Sequence, residues 1–142
     1  MVKKNTFVNS KKILTKAYKF IPSATQTFSK SPSQLPRNSS VPNFIKSGKG
    51  AWLWDVDDNK FLDYLMALGP IILGYNDKEV NRAVKDALAE GSIFSLSHYL
   101  EVELSNILVN TLENTEMVRF GKTGSDANSA AIRIARHITK KD

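Results

Sequence analysis

Apolar residues recur with a helical period in four stretches of the chain. Ile13, Leu14, Ala17, Tyr18 and Ile21 share one stripe, with Lys11, Lys12, Lys16 and Lys19 filling the other face. The pattern predicts a helix over residues 10–20, with Ser10 as N-cap, frayed residues 1–9 before it and Pro22 as its stop. Val80, Ala83, Val84, Ala87 and Leu88 predict a second helix over 77–90, capped by Asn76 or Asp77 and ended by Gly91. Leu100, Leu104, Ile107, Leu108 and Leu112 predict a third over 99–112. Ala127, Ala130, Ala131, Ile134 and Ile138 form the buried stripe of a fourth, starting near Asp126, with Arg133 and Arg136 outside.

Between the first two helices the period changes. Residues 22–43 carry four prolines and many Ser, Thr and Asn, and read as an irregular connection. Residues 43–46 are a short strand candidate and 47–50 a turn. Residues 51–55 and 60–64 predict a β-hairpin closed by Val56-Asp57-Asp58-Asn59, because Asp and Asn suit tight turns. Trp52 and Trp54 fall on one face of its first strand, where packing explains them better than a ligand does. Ile71-Ile72-Leu73, bracketed by Gly69-Pro70 and Gly74, is a candidate buried segment.

The stretch 116–136 holds the candidate chemistry. It reads as a strand over 117–120, a polar loop over 121–125, and the last helix. Gly124 permits close backbone approach, and Ser125 offers a hydroxyl where the first helical N–H groups lack partners. A strand feeding such a loop into a helix N-terminus suits a phosphate group. On spacing alone, Ser125 as a plain helix cap is the preferred alternative. A strand–loop–helix unit belongs to parallel sheets, and only one such strand is present, so the sheet is incomplete. A truncated or partner-dependent chain is expected.

Charge and composition narrow the classes. The formal charge is +6, yet residues 1–50 hold ten Lys or Arg and no Asp or Glu. A basic arm could bind nucleic acid or anionic membrane, or act as a targeting peptide. It favours Lys over Arg and has no long apolar centre, and a solvated helix face is the reading given most weight. No nucleic-acid reading motif accompanies it. There is no cysteine, so disulfides and thiolate metal sites are excluded. His98 and His137 are far apart, Asp55, Asp57 and Asp58 fit a turn, and no metal is expected. No apolar run reaches the length of a membrane span. Gly121-Lys122-Thr123 is not a phosphate-binding P-loop, because Glu116 stands where that motif needs its first glycine.

Several stretches in order carry a resemblance. They are Phe44-Ile45-Lys46-Ser47-Gly48-Lys49-Gly50, Leu53-Trp54-Asp55-Val56-Asp57, Phe61-Leu62-Asp63-Tyr64, Leu68-Gly69-Pro70 with Leu73-Gly74-Tyr75, and Leu100-Glu101-Val102-Glu103-Leu104. Glu116-Met117-Val118-Arg119-Phe120, Thr123-Gly124-Ser125-Asp126-Ala127 and Ala131-Ile132-Arg133-Ile134-Ala135-Arg136 follow. Together they resemble the N-terminal portion of class III pyridoxal-phosphate (PLP) aminotransferases, nearest to the glutamate-1-semialdehyde 2,1-aminomutase branch. The resemblance covers most of residues 20–139.

It implies an incomplete α/β fold of the fold-type I PLP-dependent transferases, divided into an N-terminal segment (1–68) and the start of the cofactor-binding large domain (69–142). It implies a cytoplasmic homodimer acting on a small-molecule amino donor and acceptor, with no nucleic-acid or membrane partner. By position, Thr123, Gly124 and Ser125 would hold the PLP phosphate. The family's Ser-Gly-Thr-Glu-Ala is here Thr-Gly-Ser-Asp-Ala, which keeps the chemistry of the cradle. Ser31 and Leu68 are the candidate substrate contacts. The aminomutase word Asn-Ser-Pro-Val-Arg is here Lys30-Ser31-Pro32-Ser33-Gln34, without its arginine, and Arg37 is displaced from that place. Leu68 stands where aminomutases carry tryptophan. Both departures favour a related aminotransferase over a true aminomutase. The alternatives are an aminomutase fragment, a basic nucleic-acid-binding module, and a non-catalytic piece that dimerises with intact enzyme. No catalytic residue is assigned. The family's Schiff-base lysine and ring-nitrogen acid fall beyond residue 142, and Lys122 does not match that lysine. The chain alone is expected to be inactive.

Overall fold

Asp55 is completely buried and forms the polar centre of the first part of the molecule. The structure, a computed structural model, describes residues 5–35 and 41–141. It falls into two compact units, Met1–Glu90 and Gly91–Asp142.

The first unit contains an antiparallel sheet of β1 (Ile45–Lys49), β2 (Trp52–Asp55) and β3 (Lys60–Leu62), in that order. The predicted hairpin is present, with Leu53 opposite Phe61 and Trp52 opposite Leu62. Asp55 closes it: Oδ1 accepts the N–H groups of Asp57 (2.9 Å) and Asn59 (2.8 Å), and Oδ2 accepts the Asn59 side-chain amide (2.8 Å). Asp58 takes the left-handed backbone of the turn. Residues 47–49 are not a turn. They pair with Trp54, Leu53 and Trp52, and the chain reverses only at Gly50 and Ala51. Pairing with β2 overrides the weak strand preference of Ser-Gly-Lys. Gly48 belongs there for another reason: a Cβ would sit 2.6 Å from Cγ of Tyr75.

Helix α1 (Val8–Phe20) begins two residues earlier than its pattern predicts. Ser10 is not its cap. Ser10 is buried and its Oγ accepts the N–H of Asn43 (3.1 Å). The cap comes from the hairpin turn, where the Asp57 carboxylate accepts the N–H groups of Asn9 (2.7 Å) and Ser10 (2.9 Å). Val8 and Asn9, expected to fray, are thereby helical, while residues 1–4 lie outside the described residues. The Asn59 amide also donates to the carbonyl of Thr6 (2.7 Å), and Phe7 stacks on Phe61. The helix ends at an extended Ile21, before Pro22 as predicted. The connection beyond it is a run of 3₁₀ turns, Pro22–Ala24, Phe28–Lys30 and Pro32–Gln34. Ala17 and Ala24 are the buried apolar residues of this unit. Arg37 lies outside the described residues.

Helix α2 (Lys78–Glu90) is capped by Asp77, whose Oδ1 accepts the N–H groups of Glu79 and Val80, both at 3.0 Å. Its apolar stripe is exposed. The segment 71–73, expected to be buried, is largely open, with Ile72 87% exposed. No element among the described residues covers either surface.

The second unit holds α3 (Tyr99–Thr111) and α4 (Gly124–Thr139). The strand expected over 117–120 does not form a ladder. A strand is defined by its neighbour, and no other strand of this unit exists among the described residues. The stripe of α4, expected to be buried, faces solvent for the same reason, with Ile138 72% exposed.

Candidate functional site

The helix of the candidate site starts two residues before the sequence reading placed it. Thr123, not Ser125, is the N-cap, and Asp126 completes a reciprocal capping box. The Thr123 hydroxyl donates to Asp126 Oδ2 (2.9 Å) and accepts the Asp126 N–H (3.2 Å), and the Thr123 N–H donates to Oδ2 (3.0 Å). The N–H of Ala127 then begins the helical ladder on the Thr123 carbonyl (3.2 Å). Thr123 is thus bound up in the cap.

Gly124 and Ser125 occupy the first two helical positions. Their N–H groups, and the Ser125 hydroxyl, have no hydrogen-bond partner among the described residues. A Cβ built on Gly124 would meet nothing within 4 Å, so the space beside these donors is open. Three donors at the positive end of a sixteen-residue helix are suited to a phosphate. The Asp126 carboxylate, the nearest negative group on this turn, is drawn back onto Thr123.

The remaining sequence candidates fall elsewhere. Ser31 is buried in the first unit, where its hydroxyl meets the Ser23 carbonyl (3.3 Å) and the Ser33 hydroxyl (2.9 Å). Leu68, also in the first unit, is half exposed and left-handed (φ 71°). No hydrogen bond among the described residues joins Ser31 to the turn that carries Leu68. His98 caps α3, with Nδ1 accepting the Leu100 N–H (3.2 Å), and its ring stacks against Phe94 and Tyr99. Asp55 and Asp57 are committed to the hairpin turn and α1, and Asp58 pairs with Lys46.

Sequence reasoning missed Asp63 and Tyr75. The Tyr75 hydroxyl donates to Asp63 Oδ2 at 2.6 Å. Burial acts to raise the Asp63 pKa, but hydrogen bonds from Tyr75 and from the backbone of Leu65, Met66 and Ala67 outweigh it and hold the carboxyl below its usual range. The same hydrogen bond, with burial and the negative charge of Asp63, pushes the Tyr75 phenol up. No periodicity marks this pair.

Comparison with known proteins places the chain in a family. The profile of the family described as Aminotransferase class-III matches residues 34–142. The chain belongs to the class III aminotransferases. Among curated relatives, the glutamate-1-semialdehyde 2,1-aminomutase of Sulfurihydrogenibium sp. (strain YO3AOP1) is 43% identical over 100 residues, covering 70% of this chain and 23% of that protein. The one from Fusobacterium nucleatum is 35% identical over 136 residues, covering 96% and 31%. Among solved structures, the FumI protein of Sphingopyxis sp. MTA144, in its PLP internal aldimine form, superposes with a TM-score of 0.82 at 30% identity, over 89% of this chain and 30% of that one. A transaminase with PLP bound gives 0.85 at 26% identity, over 96% and 31%. The fold is therefore part of that of fold-type I PLP-dependent transferases. The chain spans less than a third of the length of these relatives.

Proposed function

We propose that the first turn of α4 holds the phosphate of PLP, and that the complete protein is an amino-group transferase related to glutamate-1-semialdehyde 2,1-aminomutase. The observation that carries this reading is the set of unpartnered donors on Gly124 and Ser125, lying inside the family match. Thr123 would act behind them, fixing the helix start through Asp126. When bound, PLP supplies an electron sink for bond breaking at the amino-bearing carbon. This chain's part is to bind and orient that cofactor by its phosphate end, through two backbone N–H groups and one hydroxyl. The substrates would be a small-molecule amino donor and acceptor, with Ser31 and Leu68 as substrate-side residues. A homodimer in the cytoplasm is the assembly and location this reading carries. No helix among the described residues is long and apolar enough to cross a membrane.

A second reading, a true aminomutase, is favoured by the names of the curated relatives. Against it stand the missing arginine after Ser31 and the leucine at position 68. Supplying the complete protein with glutamate-1-semialdehyde alone, and separately with an amine and a 2-oxo acid, separates the two.

The phosphate assignment is tested with Ser125→Ala in the complete protein. The serine contributes a hydrogen bond to a charged group, worth about 1.5–3 kcal/mol, so PLP affinity should fall by about tenfold or more. Spectroscopic titration with PLP reads it. An unchanged affinity would remove Ser125 from the site.

A further inference from the structure

Met66, Ala67 and Leu68 all have left-handed backbone, with φ of 45°, 55° and 71°, and Gly69 follows at 103°. A Cβ makes this conformation costly, and three such residues in a row persist only where their surroundings over-determine them. The turn's own bonds are few. The Leu68 N–H donates to the Leu65 carbonyl (3.0 Å), and that of Gly69 to the carbonyls of Leu65 (3.2 Å) and Met66 (3.0 Å).

The outside restraint is Asp63. Its Oδ1 accepts the Leu65 N–H (2.9 Å), at the residue that opens the turn. Its Oδ2 accepts the Tyr75 hydroxyl. Tyr75 in turn is fixed three ways. It exchanges two backbone hydrogen bonds with Gly50, each 2.8 Å. Its ring lies against Gly48, where no Cβ would fit. Gly74 beside it abuts the Gly50 backbone, with a Cβ placed there only 3.1 Å from the Gly50 Cα. A continuous path therefore runs from the sheet through Tyr75 and Asp63 to the left-handed turn.

We propose that Tyr75, acting through Asp63, is a positioning residue for the turn over residues 66–69 and sets where Leu68 stands. The consequence for substrate choice rests on the reading of Leu68 as a substrate contact. The positioning itself does not. Tyr75 keeps the carboxylate aimed at the turn, and the carboxylate holds the amide of Leu65, whose carbonyl in turn accepts the N–H groups of Leu68 and Gly69.

Tyr75→Phe, Asp63→Ala and the double variant of the complete protein test this. Phenylalanine keeps the ring on Gly48 and removes only the hydroxyl. Amide hydrogen exchange at Leu65, Leu68 and Gly69 should quicken about tenfold in Tyr75→Phe, with the amides of β2 unchanged. In the Asp63→Ala background the same change should add nothing, because the two residues act as one unit. Asp63→Leu, which likewise removes both carboxylate oxygens, replaces Asp63→Ala if the latter does not fold. Unchanged exchange in Tyr75→Phe, or an equal effect in both backgrounds, overturns the proposal. The ratio of kcat/KM for L-alanine over L-phenylalanine, with 2-oxoglutarate as acceptor, reads the substrate side. Faster exchange with a shifted ratio supports both parts. Faster exchange with an unmoved ratio supports positioning by Tyr75 and overturns only the role given to Leu68.

Discussion

Replacing Asp57 by alanine should free α1 while leaving the sheet intact. The first N–H groups of a helix have no partners within it. In α1 the residue at the N-cap is Phe7, which offers no side-chain acceptor, and the first turn contains no acidic residue. Asp57 supplies both functions from the hairpin turn, at 2.7 and 2.9 Å. Loss of a cap costs about 0.5–2 kcal/mol, and loss of a negative charge at the positive helix end about 0.3–1 kcal/mol. Together they give about 2 kcal/mol, a factor of about thirty in the opening of the helix. Little else holds it, since Ala17 and Ser10 are its buried residues. Native-state hydrogen exchange of the complete protein is the assay. Amides over residues 12–20 should exchange about thirty-fold faster in Asp57→Ala, with those of β2 unmoved. Asp58→Asn, which keeps a residue suited to the left-handed turn and removes only the surface pair with Lys46, should change α1 by well under twofold. Equal effects of the two substitutions, or faster exchange confined to Asn9 and Ser10, would refute the clamp.

Gly48→Ala should lower stability by about 1–3 kcal/mol, because the new methyl meets Tyr75 at 2.6 Å from Cγ of the ring and 2.8 Å from Cβ. Urea unfolding measures it, and a neutral result would mean the ring is free to retreat. The Asp63–Tyr75 pair predicts a level contribution to stability between pH 3.8 and 10.0, the ordinary values of the two groups. The lowered Asp63 pKa makes that contribution fade as pH falls through the folded value, and the raised Tyr75 pKa makes it fade as pH rises through its own. Tyr75→Phe should abolish the alkaline loss in urea midpoints taken across pH, and an alkaline limb that survives would point to another group.

The local signals in the chain were legible where one short-range rule decides the outcome. Pro22 ends α1, Asp77, one of two candidate caps beside Asn76, caps α2, and the Asp-Asp-Asn turn closes the hairpin, each following from residue types. Membership of the class III aminotransferases was legible through ordered matches along the chain, though the cap of α4 was misplaced because Thr123 and Asp126 form a box that the spacing of Gly124 and Ser125 alone does not announce. Long-range partners were not legible. Nothing near Ser10 announces that Asp57 caps its helix, or that Tyr75 reaches Asp63. The strand over 117–120 failed for the opposite reason: its local pattern was right, and the neighbour that would make it a strand is not among the described residues.

Lys60 places its ammonium 4.0 Å from the ring centre of Trp52 and 5.5 Å from that of Trp54. These are the two tryptophans of the sequence, and both stand in β2. Light emitted by indole in this chain therefore comes from one strand under one cation. An unfolding curve followed by that emission would trace the hairpin alone. The helices of residues 91–142 contain no tryptophan, and following their melting calls for a probe of their own.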